Sequence, residues 1–345
     1  MEKYLVALSG GVDSTVTAQL LLSTGAEVIG AHLLLHADAP ERDVEAVARQ
    51  LNIPVCTFDA RELFRQKVMR DFAQCYTMGE TPSPCIRCNR YLKFGYLLEK
   101  AKTLNCTHIA TGHYARVRYD EATGRWLLLR GKDLEKDQSY MLYGLSQEQL
   151  SYCKFPLGEL TKEEIRAMAQ EAGLITAEKK DSQDICFIPD GDYASFVRQF
   201  TGMDFPQGDF LHEDGTVLGQ HNGIIHYTVG QRRGLGISYK EPLYVKSLAP
   251  MDNTVTLSTD EGLYEKTLLA GDVNLIALKE LGRPIRCQAK IRYRHTPADC
   301  IAQMEGENLR VIFTEPQRAI TPGQSVVLYD GDLVLGGGVI LPSQG

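Results

Sequence analysis

The stretch Leu5-Val-Ala-Leu-Ser-Gly-Gly-Val-Asp-Ser-Thr15 decides the fold of the first part of the chain. A short apolar run leads into a glycine-rich turn, and an amphipathic segment then continues to Gly25. This order predicts a strand, a loop and a helix. Gly10 and Gly11 allow the backbone to approach an anion closely, and the amide groups at the start of the helix attract negative charge. The stretch therefore predicts a phosphate-binding loop.

The loop is not a Walker A motif, because that motif ends in Gly-Lys-Ser or Gly-Lys-Thr and its lysine reaches the terminal phosphates. No lysine follows Gly11 in the loop. Ser9-Gly-Gly-Val-Asp-Ser14 instead resembles the PP-loop of the ATP pyrophosphatases, which cleave ATP between the α and β phosphates and adenylate an oxygen of their substrate. The resemblance implies that the loop binds pyrophosphate and that Asp13 helps to hold Mg²⁺. An ordinary glycine turn in a βα unit is the alternative.

Composition and charge limit the class of protein. The chain has 345 residues, 43% of them hydrophobic, and a net charge of −7, so it can form two or three domains with their own cores. Its apolar runs are shorter than the ~18 residues of a membrane span, and its start lacks a signal-peptide pattern. We therefore expect a cytoplasmic protein without membrane contact. Its nine cysteines favour metal-binding or catalytic thiols over disulfides, and a nucleic acid would have to bind local basic patches.

Strands and helices alternate in the N-terminal region. Beyond Gly25 the sequence predicts, in order, a strand, a helix, a strand and a helix, over 27–35, 40–51, 53–58 and 62–78. This alternation predicts a parallel sheet with helices on both faces and a ligand at the carboxyl ends of its strands. A further strand over 107–111 ends at Gly112 and His113, which we expect beside the nucleotide. Leu33 is expected to contact adenine through its backbone.

A proline-rich turn presents two cysteines, Cys85 and Cys88, at the start of another predicted helix. A thiol near a helix N-terminus and beside Arg87 and Arg90 has its thiolate favoured, which suits a nucleophile or a metal ligand. By itself the Cys-x-x-Cys pair is moderately specific, as it could be a redox pair, half a zinc site or a chance spacing. Cys186 follows a polar, basic loop and lies in a predicted short strand, where a core role is the simpler interpretation.

The pattern changes beyond residue 200, where short alternating strands and glycine-rich turns replace the βα alternation. We predict three domains: an α/β PP-loop domain with a parallel sheet over 1–204, a small β-rich central domain over 205–270 and a β-barrel-like domain over 271–345. Five lysines and arginines and no acid lie between Arg283 and His295. Such a strip suits phosphate contact and base stacking, although a solvated strand face is the alternative.

The chain as a whole resembles the tRNA-specific 2-thiouridylase family, MnmA type, within the PP-loop ATP pyrophosphatases. The resemblance rests on blocks that follow one another in order through nearly the whole chain: Ser9 to Ser14, Thr81 to Phe94, Ala110 to Arg116, Lys136 to Tyr140, Lys180 to Phe187, His226 to Gly236, Tyr244-Val245, Lys290 to Arg294 and Pro322 to Ser325.

This resemblance implies an activity, its cofactors and its partners. Such enzymes adenylate O2 of the wobble uridine in tRNAs for Lys, Glu and Gln, and then replace that oxygen with sulfur from a cysteine persulfide. By position, Cys88 matches the family's nucleophile and Cys186 its persulfide-bearing cysteine. ATP, Mg²⁺, tRNA and a sulfur donor, such as a cysteine desulfurase or a relay protein, are implied. The chemistry is coherent, because a urea-like carbonyl has a poor leaving oxygen until AMP is attached and sulfur is a strong nucleophile.

The resemblance also assigns binding residues by position. The nucleotide-binding positions are Ala7, Leu8, Ser9, Gly10, Gly11, Val12, Asp13, Ser14, Leu33 and Gly112. The positions that touch tRNA are Ser83, Pro84, His113, Lys136, Asp137, Gln138, Arg292, Tyr293 and Gln324.

Two features depart from the family pattern. The family commonly has Asn-Pro-Asp-x-x-Cys, whereas the corresponding place here reads Ser83-Pro84-Cys85. Cys85, Cys88 and Cys186 then form a set of three thiols that could bind a [4Fe-4S] cluster with one open iron for hydrosulfide. A Cys186 persulfide, with Cys85 as a spare or resolving thiol, is the alternative; we favour the cluster. The segment between the second strand and the second helix is also shorter than in many relatives.

Two other functions remain open. A PP-loop synthetase that forms amides or ureas would need no cysteine, so the cysteine placements and the basic β-region argue against it. A catalytically inactive nucleotide- or tRNA-binding module would be excluded by retained AMP formation.

Overall fold

The computed structural model describes residues 2–36, 41–179 and 185–343. Within these ranges no helix combines the length and the apolar character needed to cross a membrane. The first seven strands are β1 (Lys3–Ala7), β2 (Glu27–Leu34), β3 (Val55–Asp59), β4 (His108–Ala110), β5 (Ala115–Asp120), β6 (Arg125–Arg130) and β7 (Cys153–Lys154). The α-helices are α1 (Val12–Ser23), α2 (Glu41–Leu51), α3 (Arg61–Phe64), α4 (Arg70–Thr77), α5 (Pro84–Cys88), α6 (Leu97–Thr103), α7 (Gln147–Tyr152), α8 (Lys162–Glu171) and α9 (Tyr193–Thr201).

The predicted parallel sheet is confirmed. Five strands pair in the order β3-β2-β1-β4-β7, and each pair is parallel. Successive residues of the central strand β1 face opposite sides: Leu5 packs with residues of α6, and Val6 packs with residues of α1 and α2. Both faces are therefore covered by helices, as expected for a parallel sheet. The loop after β1 leaves the carboxyl edge at the centre of the sheet, where such folds bind ligands.

Two of the predicted helices contain π-helical segments. Arg65–Met69 joins α3 to α4, and Asn89–Tyr96 joins α5 to α6. The expected helix over 62–78, and the helix that starts after the proline-rich turn, are confirmed in position. The 3.6-residue periodicity does not predict a π segment, because such a segment has i→i+5 hydrogen bonds in place of i→i+4 bonds. The second segment begins directly after Cys88, and π segments are frequent at functional sites.

The central region is a four-stranded sheet with the order β10-β11-β8-β9. Its strands are β8 (Gly208–His212), β9 (Val217–His221), β10 (Tyr244–Ala249) and β11 (Thr254–Ser258). Phe210, Val245 and Val255 are fully buried, and they pack in one cluster with residues of α4 and α9. These contacts attach the central sheet to the helical side of the N-terminal region.

The C-terminal region is a closed barrel of six strands. They are β12 (Tyr264–Leu275), β13 (Ile285–Lys290), β14 (Ala298–Glu305), β15 (Asn308–Arg318), β16 (Ser325–Asp330) and β17 (Leu333–Ile340). Their order is β12-β15-β14-β13-β16-β17, and pairing of β12 with β17 closes the barrel. The expected β-barrel-like fold is thus confirmed, and closure removes the open sheet edges that promote aggregation.

A hairpin ties the N-terminal region to the barrel. Strands β5 and β6 pair from Ala115–Arg130 to Asp120–Arg125. Leu129 of β6 also pairs with Leu333 of β17, so the hairpin continues the sheet of the barrel. The two regions therefore share one continuous set of strands.

Candidate active site

The phosphate-binding loop has the backbone that its glycines require. Gly10 has φ +70°, and a Cβ atom there would lie 2.8 Å from the Cβ of Asp43, so only glycine fits without a shift of Asp43. Helix α1 begins after Gly11 without a side-chain cap, which leaves its first turn suited to an anion. The hydroxyl oxygens of Ser9 and Ser14 lie 3.2 Å apart at the same place.

The loop after β4 packs directly against the phosphate-binding loop. A Cβ atom at Gly112 would lie 2.9 Å from the backbone and Cβ of Asp13. The structure therefore brings Gly112 and the loop together, as the resemblance implied. Leu33 lies near the carboxyl end of the adjacent strand β2 and is half-buried. The segment between β2 and α2, noted as short, includes residues 37–40, which lie outside the described residues.

Asp13 already has protein partners. Its carboxylate accepts a hydrogen bond of 2.8 Å from the Tyr114 hydroxyl, and the Lys162 ammonium contacts both of its oxygens at 2.8 and 3.0 Å. The side chain of Asp13 is 31% exposed. A carboxylate that is open on one side and next to a phosphate-binding loop is a donor of the type that Mg²⁺ prefers, so the expected role of Asp13 fits its position. Sequence reasoning missed Lys162, because only the three-dimensional fold brings α8 to the loop.

The structure places Cys88 differently from the sequence-based expectation. Cys88 is 8% exposed, and burial raises the pKa of its thiol to about 12. The expected stabilisation of its thiolate by neighbouring arginines is therefore wrong for this conformation. Arg87 pairs with Asp71 at 3.1 Å, and both Arg87 and Arg90 contact Asp272. These ion pairs tie α5 and the π-helical segment after it to α4 and to the barrel.

Cys85 and Cys186 lie close to Cys88. The charges of Cys85 and Cys186 each raise the pKa of Cys88, and that of Cys85 also raises the pKa of Cys186. Both Cys85 and Cys186 are exposed, although nearby protein atoms remove enough water to raise the pKa of Cys186. The structure therefore brings together the three thiols that the sequence singled out.

Cys186 lies in a turn, and the predicted strand is wrong. The Ile188 amide donates to the Ile185 carbonyl at 2.9 Å, which closes a turn around Cys186. The neighbouring Phe187 packs its ring against Phe72 and Phe196, with centroids 5.4 and 5.1 Å away. The apolar residues around Cys186 thus pack into a core between helices, without forming the hydrogen bonds of a β-sheet. Residues 180–184, which carry the first part of this motif, lie outside the described residues.

Lys93 is a site residue to which sequence reasoning gave no role. Its charge lowers the pKa of Cys88, Cys186 and His113, so its ammonium lies near all three. Lys93 lies in the π-helical segment, five positions after Cys88, which caps the start of that segment. The hydrogen bonds of a π-helix join residues five apart. The appearance of Lys93 in a motif block was the only available signal.

His113 is a buried, neutral side chain. Its Nδ1 lies 2.7 Å from the Thr111 hydroxyl oxygen, and its ring packs against Phe94 and Phe155 at centroid distances of 5.9 Å. Burial and the charge of Lys93 hold the pKa of His113 well below its ordinary value. The imidazole therefore carries no charge at neutral pH.

Comparison with known proteins agrees with this geometry. Residues 2–190 match the family described as tRNA methyl transferase HUP domain, residues 194–259 the tRNA methyl transferase PRC-barrel domain, and residues 265–340 the aminomethyltransferase beta-barrel domain. The chain is 44% identical to the tRNA-specific 2-thiouridylase MnmA of Acetivibrio thermocellus, over 98% of this chain and 99% of the relative. It is 46% identical to MnmA 1 of Caldanaerobacter subterraneus subsp. tengcongensis, over 98% and 97%.

This chain belongs to the MnmA family. The resemblance drawn from the sequence blocks is confirmed, and the three matched regions follow the three structural regions along the chain.

Four of the positions expected to contact tRNA lie around the turn that carries Cys85. Ser83 precedes α5, and Pro84 is its first residue. The Gln324 amide donates to the carbonyl oxygens of Thr81 and Pro82 at 2.8 and 3.3 Å, so the barrel holds this turn. Tyr293 is half-buried, and the charge of Cys85 raises its pKa, which places it near that thiol.

The remaining MnmA positions support local structure. Asp137 is 5% exposed and accepts hydrogen bonds from the backbone of Gly131 and Ser139. The Gln138 side chain accepts from the Tyr114 amide, and Arg292 donates to the Ala319 carbonyl and the Thr321 hydroxyl. Lys136 is half-buried. These contacts shape the surface beside the thiols, and they leave the expected tRNA contacts as predictions.

The described residues, which include all three cysteines, contain no group of three or more His, Cys, Asp or Glu side chains arranged to hold a metal ion. The thiols supply the ligand type of an iron–sulfur cluster. Their arrangement is not that of a preformed cluster site, so the structure gives no support to the cluster that the sequence favoured.

Proposed function

We propose that this protein replaces the C2 oxygen of the wobble uridine (U34) of tRNA with sulfur, using ATP. Membership of the MnmA family supports the reaction class. The observation that carries the proposal is the meeting of Cys88 and Cys186, which are distant in the sequence. Cys88 packs in one apolar cluster with Phe187, the residue after Cys186, and with Leu33 near the carboxyl end of β2. The charges of Cys186 and Lys93 both act on the Cys88 thiol. An amide-forming synthetase would need none of these thiols.

The first step adenylates the base. Uridine O2 attacks the α phosphorus of ATP, the bond from that phosphorus to the bridging oxygen breaks, and pyrophosphate leaves with the electron pair. The N3 proton of the base passes to water. The loop from Ser9 to Ser14 binds the phosphates through its backbone amides and the start of α1. Asp13 would hold Mg²⁺, which would neutralise negative charge on the phosphates. The C2–O2 bond then has a good leaving group, AMP.

The second step transfers sulfur. Cys186 carries the incoming sulfur as a persulfide, and the terminal sulfur attacks C2 while AMP leaves with the former O2 and its electron pair. The Cys88 thiolate then attacks Sγ of Cys186, which breaks the S–S bond and leaves the sulfur on C2. The base regains a proton at N3, and a Cys88–Cys186 disulfide remains. A dithiol reductant returns both residues to thiols.

An iron–sulfur cluster is the other source of sulfur considered. When bound to Cys85, Cys88 and Cys186, it would supply hydrosulfide on an open iron without forming a disulfide. Among the described residues the three thiols do not form a ready ligand set. The persulfide is the route that we propose, with Cys85 outside the transfer.

The substrate is a tRNA anticodon loop of the Lys, Glu or Gln type, with the target base turned out of its stack because C2 is otherwise covered. Tyr293 and the exposed Arg294 of the barrel lie on the basic strip and are suited to base stacking and phosphate contact. A cysteine desulfurase or a relay protein supplies sulfur to Cys186, whose exposure suits such transfer.

The test uses full-length protein purified without oxygen and incubated with ATP, Mg²⁺, cysteine, a cysteine desulfurase, a dithiol and an unmodified tRNA transcript. Nucleoside mass spectrometry measures 2-thiouridine. We expect Cys88→Ser and Cys186→Ser to abolish the product, and Cys85→Ser to retain it. Cys287→Ser, in the partly buried cysteine of β13, is the matched control.

Iron and sulfide analysis of the same samples separates the two sources of sulfur. Iron-free protein that still thiolates tRNA supports the persulfide. Near-stoichiometric iron that is lost in Cys85→Ser would establish the cluster. Wild-type product formation by both Cys88→Ser and Cys186→Ser would overturn sulfur transfer through these residues.

A further inference from the structure

A lysine from a distant helix lies on the loop that has no lysine of its own. Lys162 is the first residue of α8, and a capping box between Thr161 and Glu164 fixes the start of this helix. Its Nζ contacts the two carboxylate oxygens of Asp13 at 2.8 and 3.0 Å. The residue is 8% exposed. Its ammonium is therefore held at the start of α1, where the loop presents its amides.

The neighbouring residues orient the side chain of Lys162. Its Nζ lies 5.7 Å from the centroid of the buried Tyr114 ring, and the Tyr114 hydroxyl donates to the same carboxylate. Desolvation of an ammonium is costly unless the group is paired. The nearby Lys132, which pairs with Glu164, keeps its side chain 49% exposed and loses little hydration. Folding therefore desolvates the Lys162 ammonium, at a cost in free energy, but does not desolvate Lys132 to the same extent.

We propose that Lys162 binds the β and γ phosphates of ATP and stabilises pyrophosphate as it leaves. The inference rests on the proposed function, because it places adenylation at this loop. A carboxylate in the first turn of α1 repels a polyphosphate, and the Lys162 ammonium compensates its charge. Mg²⁺ and Lys162 compete for Asp13, so binding of Mg²⁺–ATP frees the ammonium at the place where phosphates bind.

The step to which Lys162 contributes is the departure of pyrophosphate. As the uridine O2–phosphorus bond forms, the electron pair of the breaking bond moves to the β-phosphate side, and negative charge grows there. A positioned ammonium that meets this charge lowers the barrier. Lys162 therefore supplies, from a distant helix, the positive charge that a Walker A loop supplies from a lysine within the loop.

A structural counter-ion for Asp13 is the competing interpretation, and nucleotide selectivity separates the two. The experiment measures binding of Mg²⁺–ATP, pyrophosphate and AMP to full-length protein by titration calorimetry, without tRNA. We expect Lys162→Gln to weaken ATP and pyrophosphate binding by about 10- to 100-fold, the effect of one lost charged hydrogen bond. AMP binding should change less than about 2-fold, because AMP lacks the β and γ phosphates.

Two further variants complete the design. Lys132→Gln is the matched control and should bind all three ligands like the wild type. Asp13→Asn with Lys162→Gln restores a neutral pair, and it should still show the selective loss relative to Asp13→Asn alone. An equal change for ATP and AMP, or unchanged ATP binding, would overturn the inference. The binding experiment contains no tRNA, so its result does not depend on thiolation. If the protein makes no 2-thiouridine but Lys162→Gln still weakens ATP binding selectively, the proposed function is wrong and the phosphate site is supported.

Discussion

Cys88 keeps its proton at neutral pH because it is buried. Desolvation raises the pKa of its thiol to about 12, and Lys93 opposes this shift. The residue therefore needs a higher pH, or more stabilisation of its thiolate than Lys93 alone provides, to become a nucleophile. The exposed Cys186 is the more accessible of the two sulfurs for an incoming donor.

Lys93→Met should raise the pKa of Cys88 and Cys186, because an opposite charge that stabilises both thiolates is removed. Below these pKa values, alkylation of Cys88 by iodoacetamide should rise with pH in both proteins and be about 3- to 10-fold slower in the variant at each pH. Peptide mass spectrometry measures the rates from pH 7 upward. The Lys102→Met control, in a half-buried lysine that pairs with Glu148, should match the wild type. Identical pH profiles for Lys93→Met and wild type would contradict the assignment.

Gly112→Ala tests the close approach of two loops. The added Cβ would lie 2.9 Å from Asp13 and 3.0 Å from the Ser14 amide nitrogen, so the phosphate-binding loop must move. We expect ATP affinity to fall by more than about 10-fold, since a displacement of this kind disrupts several phosphate contacts together. Gly282→Ala, whose Cβ meets no atom within 4 Å, is the control. Unchanged ATP binding in Gly112→Ala would show that the loop tolerates the shift.

At the scale of elements, the sequence predicted the structures whose determinants lie close together in the chain. The strand–loop–helix at Ser9 to Ser14 and the capping box at Thr161 were readable because their determinants are neighbours in sequence. The positions of Lys162 and Lys93 were not, since tertiary packing brings α8 to the loop and a π segment turns Lys93 toward Cys88. The turn at Cys186 was missed for the same reason: its apolar neighbours find partners in other helices.

The turn before α5 is held by the barrel, and Gln324 is the contact to test. Gln324→Leu removes two hydrogen bonds to the carbonyl oxygens of Thr81 and Pro82 and keeps the side-chain size. We expect the rate of tRNA thiolation to fall by about 10-fold, the cost of roughly one net hydrogen bond or more, with ATP affinity unchanged. Gln288→Leu, on β13, removes a side-chain bond to Asp299 far along the barrel and serves as control. A parallel fall in ATP affinity would contradict a local role.

At the scale of the molecule, the barrel contacts the segment of the N-terminal region that carries Cys85 and Cys88. The β5–β6 hairpin extends the barrel sheet, and Asp272 of β12 pairs with both arginines that flank Cys88. The sequence predicted each region from its own pattern. It could not predict these junctions, because pairs such as Arg90 and Asp272 leave no periodic signal. The active site therefore depends on contacts between regions that are distant in the sequence.

Because the chain has a net charge of −7, we expect tRNA to bind the local basic strip. Arg294 is exposed, whereas Arg292 is bound to the protein backbone. Arg294→Gln should weaken binding and reduce the slope of log affinity against log salt concentration by about 1, as expected for one lost phosphate contact. Filter binding over a salt series measures the slope. Arg286→Gln, in another exposed arginine on β13, tests whether the effect is specific, and an unchanged slope in Arg294→Gln would remove that residue from the interface.

The fate of the uridine oxygen tests the central claim most directly. An anticodon stem-loop carrying ¹⁸O at O2 of U34 is thiolated with ATP and a sulfur donor, and the released AMP and pyrophosphate are analysed by mass spectrometry. Adenylation at O2 followed by displacement at C2 requires the ¹⁸O to appear in AMP, with one label for each 2-thiouridine formed. Unlabelled AMP, or label in pyrophosphate or water, would contradict the account.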